Sequence, residues 1–320
     1  MEDHALEFEP RLKGLSIRDW SNRLHEIADE FGTAKELGPD HTAYFLKAGP
    51  QLLVTFESVE RIRASKLSAE PRGFVYAREE GWSCLTIVSE RQSWFRDQAI
   101  YSYFDALTDE GFFEAFEDVL FYGALAGGYA AAAYSVAAPG ARVLTIQPQA
   151  TLDPRVAGFD TRFKPHRRSD FTSRYGFAPE MIDAAMQAYV VFDPMQQIDG
   201  AHAALFAKRN VDLLQATSIG RDIETTFDGL GTHDDMMLSA MEGRLTTLKF
   251  AKLMRARRAH DPHIRRVLNR ALKAGHTQLS ANLCAYVLRQ SDDPFFRERL
   301  AELAADGLRP ARPVISSAAQ

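Results

Sequence analysis

Phe121-Tyr122-Gly123-Ala124-Leu125-Ala126-Gly127-Gly128-Tyr129 is the stretch on which the fold turns. Val119-Leu120-Phe121-Tyr122 is a buried strand by its unbroken apolar run, and it passes straight into glycines. An alanine-rich helix follows, from Tyr129 to about Ala138, with Pro139-Gly140 as its stop. A strand that becomes a helix through so tight a turn has no room for side chains at its flanks. Gly123 and Gly127 occupy those flanks, with Leu125 between them.

On either side, short apolar runs alternate with helical or polar stretches. Ala43–Lys47 and Gln51–Phe56, divided by Gly49-Pro50, have the look of a hairpin. Residues 57–80, charged and holding Pro71 and Gly73, suit a surface loop. Ser83–Val88 is a strand, and Asp109–Asp118 has phenylalanines at helical spacing. Further strands are expected at Arg142–Gln147, Tyr189–Pro194 and Val211–Ala216, with a short helix near Ala201–Lys208. This order implies a doubly wound, mostly parallel sheet covered on both faces. Residues 1–40 form a polar lead-in with one helix around Ile17–Phe31, and 41–245 the α/β domain, with an insertion at about 150–185. Residues 246–308 are helical, with Pro262 and Asp292-Asp293-Pro294 as start signals, and 309–320 are expected to be a disordered tail.

The 320 residues are 46% apolar and 25% charged, an ordinary globular balance, and no run approaches the ~20 residues of a membrane span. Met1-Glu2-Asp3-His4 lacks the basic and apolar regions of a secretory signal, so a cytoplasmic location is expected. Two cysteines, Cys84 and Cys284, are too few for a disulfide framework or a zinc cage, and no metal or cofactor is expected. The net charge of −5 argues against nucleic acid as a partner. Charge is uneven: residues 1–40 hold ten acids and five bases, whereas 243–276 hold ten Lys or Arg and one acid, Asp261. A basic helix over 249–270 is therefore a candidate docking face for an acidic protein partner.

The glycine-flanked turn resembles the nucleophile elbow of the α/β-hydrolases, G-x-S-x-G. The resemblance covers roughly residues 42–245. It implies a sheet of α/β-hydrolase type with a lid insertion, here followed by a C-terminal helical extension. It also implies three catalytic stations. Leu125 stands at the nucleophile station and has no reactive atom. Asp193, in Val191-Phe192-Asp193-Pro194, stands at the acid station, although Asp-Pro also suits a plain turn. Arg221, after Ile219-Gly220, stands where the histidine belongs, with His202 and His233 as rivals that also fit structural roles. The oxyanion amides implied are those of Ala126 and of Glu57, just after Phe56. Backbone amides survive any substitution, so an anion-binding notch persists without the nucleophile.

In the insertion, Arg162, Lys164, His166, Arg167, Arg168 and Arg174 alternate with Phe163, Phe171 and Tyr175. Arginine beside aromatic side chains suits a small anionic or carbohydrate-like ligand, or else a solvated loop paired with acids elsewhere. The chain is also similar to alphaproteobacterial proteins labelled phosphoadenosine-phosphosulfate reductase. That similarity implies a phosphate loop near the first strand and a catalytic cysteine near the C-terminus. Gly49-Pro50 is no such loop, and Cys284 sits in a mid-helix apolar pattern. Three functional readings follow. The first is a catalytically degenerate hydrolase-like binding module, a pseudoenzyme. The second is a hydrolase or acyltransferase with a displaced nucleophile, for which Ser89, Tyr122 and Cys84 are candidates. The third is a partner-binding helical module on an α/β support.

Overall fold

The computed structural model describes residues 5–65, 69–305 and 307–311; the rest of the expected tail, 312–320, lies outside the described residues. The chain divides into two compact units, one running to Arg255 and the other starting at Ala256.

The first unit is built on eight strands: β1 Gly32–Glu36, β2 His41–Leu46, β3 Gln51–Ser58, β4 Ser83–Ser89, β5 Asp118–Ala124, β6 Arg142–Ile146, β7 Gln187–Phe192 and β8 Val211–Gln215. They form one sheet in the order β1-β2-β4-β3-β5-β6-β7-β8. Strands β3 to β8 are parallel, and β2 pairs antiparallel with both β1 and β4. Ala43–Lys47 and Gln51–Phe56 therefore make no hairpin, because β4 lies between them. The reason is in β3 itself. Leu52–Phe56 is buried at every position, and such a strand needs cover on both faces, which a central place between β4 and β5 supplies.

The helices of this unit are α1 Ile17–Phe31, α2 Val59–Ala64, α3 Arg72–Glu79, α4 Gln98–Asp109, α5 Ala126–Tyr134, the single turns α6 Pro154–Ala157 and α7 Ala178–Met181 within the insertion, α8 Gln197–Leu205, α9 Ile223–Leu230, α10 His233–Met241 and α11 Thr247–Leu253. One sheet face packs on α4 and α5 through Phe56, Phe104, Phe121 and Tyr134. The other carries Tyr122 and Leu144 against Phe227, Met236 and Met237. The helix expected at Asp109–Asp118 is a 3-10 turn, Phe112–Ala115, and the true helix, α4, precedes it. The described residues of 57–80 are no surface loop either. They hold α2 and α3, and Arg72 is only 5% exposed. Its guanidinium is paired inside with Glu224 and Asp228.

The second unit consists of α12 Asp261–Lys273, α13 Thr277–Leu288 and α14 Pro294–Ala305, around Leu268, Cys284, Val287 and Phe296. Both proline signals lie in the first turn of their helices. The stretch 249–270 is not one basic helix. It runs through α11, a 3-10 turn at Met254–Ala259 and part of α12, and it crosses the boundary between the units.

Candidate functional site

The bend between β5 and α5 is as tight as its glycines require. A Cβ on Gly123 would lie 2.2 Å from the Gly127 carbonyl oxygen, and one on Gly127 would lie 2.1 Å from that of Phe56. Both distances are below any real contact, so the turn closes only with glycine there. Leu125 occupies the apex at φ 54°, ψ −120°, a conformation that a leucine rarely adopts. Its N–H donates to Ile146 at 2.8 Å and its carbonyl accepts from Tyr129 at 3.0 Å, which holds it in place.

A cavity of about 210 Å³ opens above this bend, lined by Leu125 and Ala126, by Glu57, Arg61, Arg72 and Glu224, and by Ser89, Ser93 and Trp94. Of the insertion, Phe163 reaches it, with its ring centroid 4.8 Å from that of Trp94. Asp193 and Arg221 are not on its wall. Asp193 is buried and its Oδ1 accepts the N–H groups of Met195 (2.9 Å) and Ser218 (3.0 Å), which ties the exit of β7 to the loop after β8. Arg221 is exposed, and its carbonyl accepts from the Gln147 amide at 3.0 Å. The three stations therefore do not meet in this cavity.

Neither rival histidine has a nitrogen to spare. The Ala150 N–H donates to Nδ1 of His202 (3.2 Å), so Nε2 carries the proton and donates to Asp160 (3.0 Å). Arg162 joins this cluster by pairing with Asp160 and Asp199, so His202 anchors the insertion to α8. Around His233, Arg72 donates to Nδ1 at 3.2 Å, so Nε2–H faces the Tyr122 oxygen at 2.8 Å. The Tyr122 hydroxyl donates in turn to Glu224 at 2.5 Å. Burial first, and then the Arg72 charge, lower the His233 pKa, which keeps the ring neutral at ordinary pH.

Two carboxyls on the cavity wall are driven apart. Burial, reinforced by the neighbouring Glu224 charge and opposed by Arg72, pushes Glu57 up to about 7. Burial acts on Glu224 in the same direction, but Arg72 and Arg61 outweigh it and hold that carboxyl at about 2. Glu57 enters the site through its side chain. Its two oxygens accept the Arg72 N–H at 3.0 and 3.2 Å, at the start of α3, while its backbone lies in register with Val88 of β4. Ala126 is the first residue of α5, where a helix supplies no acceptor to its own N–H groups.

The insertion arginines serve as ties. Arg162 pairs with acids as above, Arg167 donates to the carbonyls of Ala157, Gly158 and Asp160, Arg174 pairs with Asp105, and Arg168 is exposed. Among the candidate displaced nucleophiles, Cys84 is buried within β4, with its thiol pushed up by burial to about 12. Cys284 is buried in α13 and likewise pushed up, to about 11. Ser89 and Tyr122 both reach the cavity. A further group, His41 with Ser93, carries no sequence signal, because the two lie 52 residues apart and meet only through the pairing of β2 with β4.

No family model matches the sequence, and no curated protein matches it. Among solved structures it is similar to carboxyl esterase 2 from the fungus Tuber melanosporum, at 14% identity over 66% of this chain and 84% of that one, with a TM-score of 0.43. It is similar to a hyperthermophilic esterase from the archaeon Pyrobaculum calidifontis, at 13% identity over 74% and 94%, with a TM-score of 0.42. A glycosylation associate protein complex from Streptococcus agalactiae is similar at 18% identity over 64% and 46%, with a TM-score of 0.42. A parallel run from β3 to β8, helices on both faces and a glycine-flanked bend after β5, with Leu125 at its apex, give this chain the arrangement of an α/β-hydrolase fold.

Proposed function

We propose that the chain is a catalytically degenerate protein of the α/β-hydrolase fold that binds a small ligand in the cavity above Leu125. The observation that carries this reading is the leucine at the apex. The elbow keeps its strained geometry and its cavity but presents no reactive atom. Acyl-serine chemistry at the elbow is thereby unavailable.

The chemistry of the wall favours a neutral, hydrogen-bonding ligand of carbohydrate-like character over an anion. Arg61 and Arg72 are committed to Glu224, Asp222 and Asp228, and Arg91 pairs with Asp40. An anionic head group would have to compete with carboxylates already in place. Hydroxyl groups on Ser89 and Ser93, a protonatable Glu57 and apolar surface from Trp94 and Phe163 suit a ligand with donors, acceptors and one apolar face.

Methyl α-glucoside, glycerol and inorganic phosphate, followed by ligand-observed NMR and thermal shift, test this reading. The neutral polyols should bind and phosphate should not. Leu125→Trp, which fills the cavity, should abolish the binding while leaving the fold intact by circular dichroism. Phosphate binding that survives this substitution, with no response to the polyols, overturns the reading.

A further inference from the structure

Glu57 is the last residue but one of β3, and it lines the cavity above the elbow. It is half-buried. The arginines on the same wall are committed elsewhere: Arg61 to Asp222 and Glu224, Arg72 to Glu224 and Asp228, Arg91 to Asp40. No salt bridge reaches Glu57 among the described residues; it accepts hydrogen bonds instead. Its Oε1 takes the Thr55 hydroxyl at 2.9 Å and the Arg72 N–H at 3.0 Å. Its Oε2 shares that N–H at 3.2 Å and has no other donor among the described residues, so it is the oxygen placed to carry a proton.

The titratable groups packed around Glu57 keep their charge near neutral pH. On α9, burial would raise Glu224, but Arg72 and Arg61 outweigh it and hold that carboxyl at about 2. On β4, burial pushes the Cys84 thiol up to about 12, and on β5 it pushes the Tyr122 hydroxyl well above its ordinary value, so both stay protonated. Glu70, just before α3, is paired with Arg78, and Glu60 on α2 is exposed. Burial, opposed by Arg72 and reinforced by Glu224, pushes Glu57 itself up to about 7. Glu57 is therefore the carboxyl on this wall whose charge changes near neutrality. Phe56, Trp94 and Phe163 add apolar surface to the same cavity, so a ligand that fills it expels water from around the carboxyl. Loss of that water makes the charged form costlier still.

We propose that the cavity takes up its ligand together with a proton, which Glu57 Oε2 bears and shares in a hydrogen bond with an ether or hydroxyl oxygen of a small neutral polyol. This inference rests on the reading of the cavity given above and adds how that site is regulated. An ionised Glu57 could accept a ligand hydroxyl. The carboxylate would then be sealed from water beside Glu224, with no cation of its own among the described residues, which costs more than one hydrogen bond returns. The acid form avoids that cost and supplies a donor. Well below pH 7 this form is already present, and the ligand binds without uptake. As pH rises through 7 the proton must be drawn from solvent, and affinity falls.

Methyl α-glucoside binding to the full chain tests the proposal, titrated by ligand-observed NMR from about pH 5.5 to about pH 8.5 and by calorimetry near pH 7 in Pipes and in Tris. A group that titrates at about 7 and must be protonated makes affinity about 30-fold weaker at the upper end than at the lower, with about half a proton taken up per ligand near pH 7. Glu57→Gln, which presents an amide donor and does not titrate, should lose both the uptake and the pH profile. Circular dichroism checks its fold, and the native chain's own profile decides if that variant does not fold. Equal affinity at the two ends, binding that tightens as pH rises, or a profile kept by folded Glu57→Gln overturns the proposal. Binding without proton uptake overturns this inference alone. Absence of binding at every pH overturns the cavity reading and this inference with it.

Discussion

The Tyr122 hydroxyl donates to Glu224 at 2.5 Å, across 102 residues of sequence, and that bond closes a buried chain from Arg72 through His233 and Tyr122 to a carboxylate that Arg72 and Arg61 also hold. Every proton in this chain has one place to be. Such networks specify a structure when complete and are costly when broken.

Glu224→Gln removes the charge that both arginines face. Arg72 is buried and has Asp228 as its remaining ion-pair partner, so we expect a loss of about 3–5 kcal/mol of folding stability, read by urea denaturation. Tyr122→Phe removes one hydrogen bond to a charged group and should cost about 1.5–3 kcal/mol.

Glu57 and Glu224 give stability a pH dependence of opposite signs. The folded Glu57, at about 7, lies above its ordinary 4.5, so its contribution is full below 4.5 and is lost as pH rises through 7. The folded Glu224, at about 2, lies below 4.5, so its contribution is full above 4.5 and is lost as pH falls towards 2. Urea midpoints should decline between pH 4.5 and 7.5 in the native chain, and the decline should flatten in Glu57→Gln. An equal slope in both proteins contradicts the assignment.

At the elbow, the flanks and the apex should respond in opposite directions. Gly123→Ala or Gly127→Ala forces a Cβ onto a backbone oxygen and should cost more than about 4 kcal/mol or prevent folding. Leu125→Gly relieves the strain of a positive φ, worth about 1–3 kcal/mol, against the loss of a half-buried side chain. We expect a net gain of about 1 kcal/mol in thermal or urea unfolding.

Asp160→Asn weakens both the His202 bond and the Arg162 pair that fasten the insertion. Amide exchange over residues 154–170 should accelerate, while β5 and β6 stay protected. Uniform acceleration across the sheet contradicts a local tie.

The sheet was legible where strands were buried on both faces, because β4 to β7 leave apolar runs that no partner can alter. The elbow was legible because steric exclusion allows only glycine at its flanks. β1, Gly-Thr-Ala-Lys-Glu, escaped notice because an edge strand with mostly exposed positions carries no apolar signature. α3 looks like a loop in the sequence because its charges suggest solvation, whereas Arg72 is paired inside. The place of β4 between β2 and β3 and the meetings of Tyr122 with Glu224 and of His41 with Ser93 depend on long-range pairing. Spacing along the chain says nothing about them.

The bend after β5 owes its shape to Gly123 and Gly127 and to the bonds that Leu125 makes with its backbone. The apex side chain contributes to none of these. Scaffold and reagent are therefore separable parts, and the socket stays folded whatever is plugged into it. A single exchange of Leu125 for a hydroxyl-bearing residue would leave the architecture standing, though no histidine stands among the described residues that line the cavity above it.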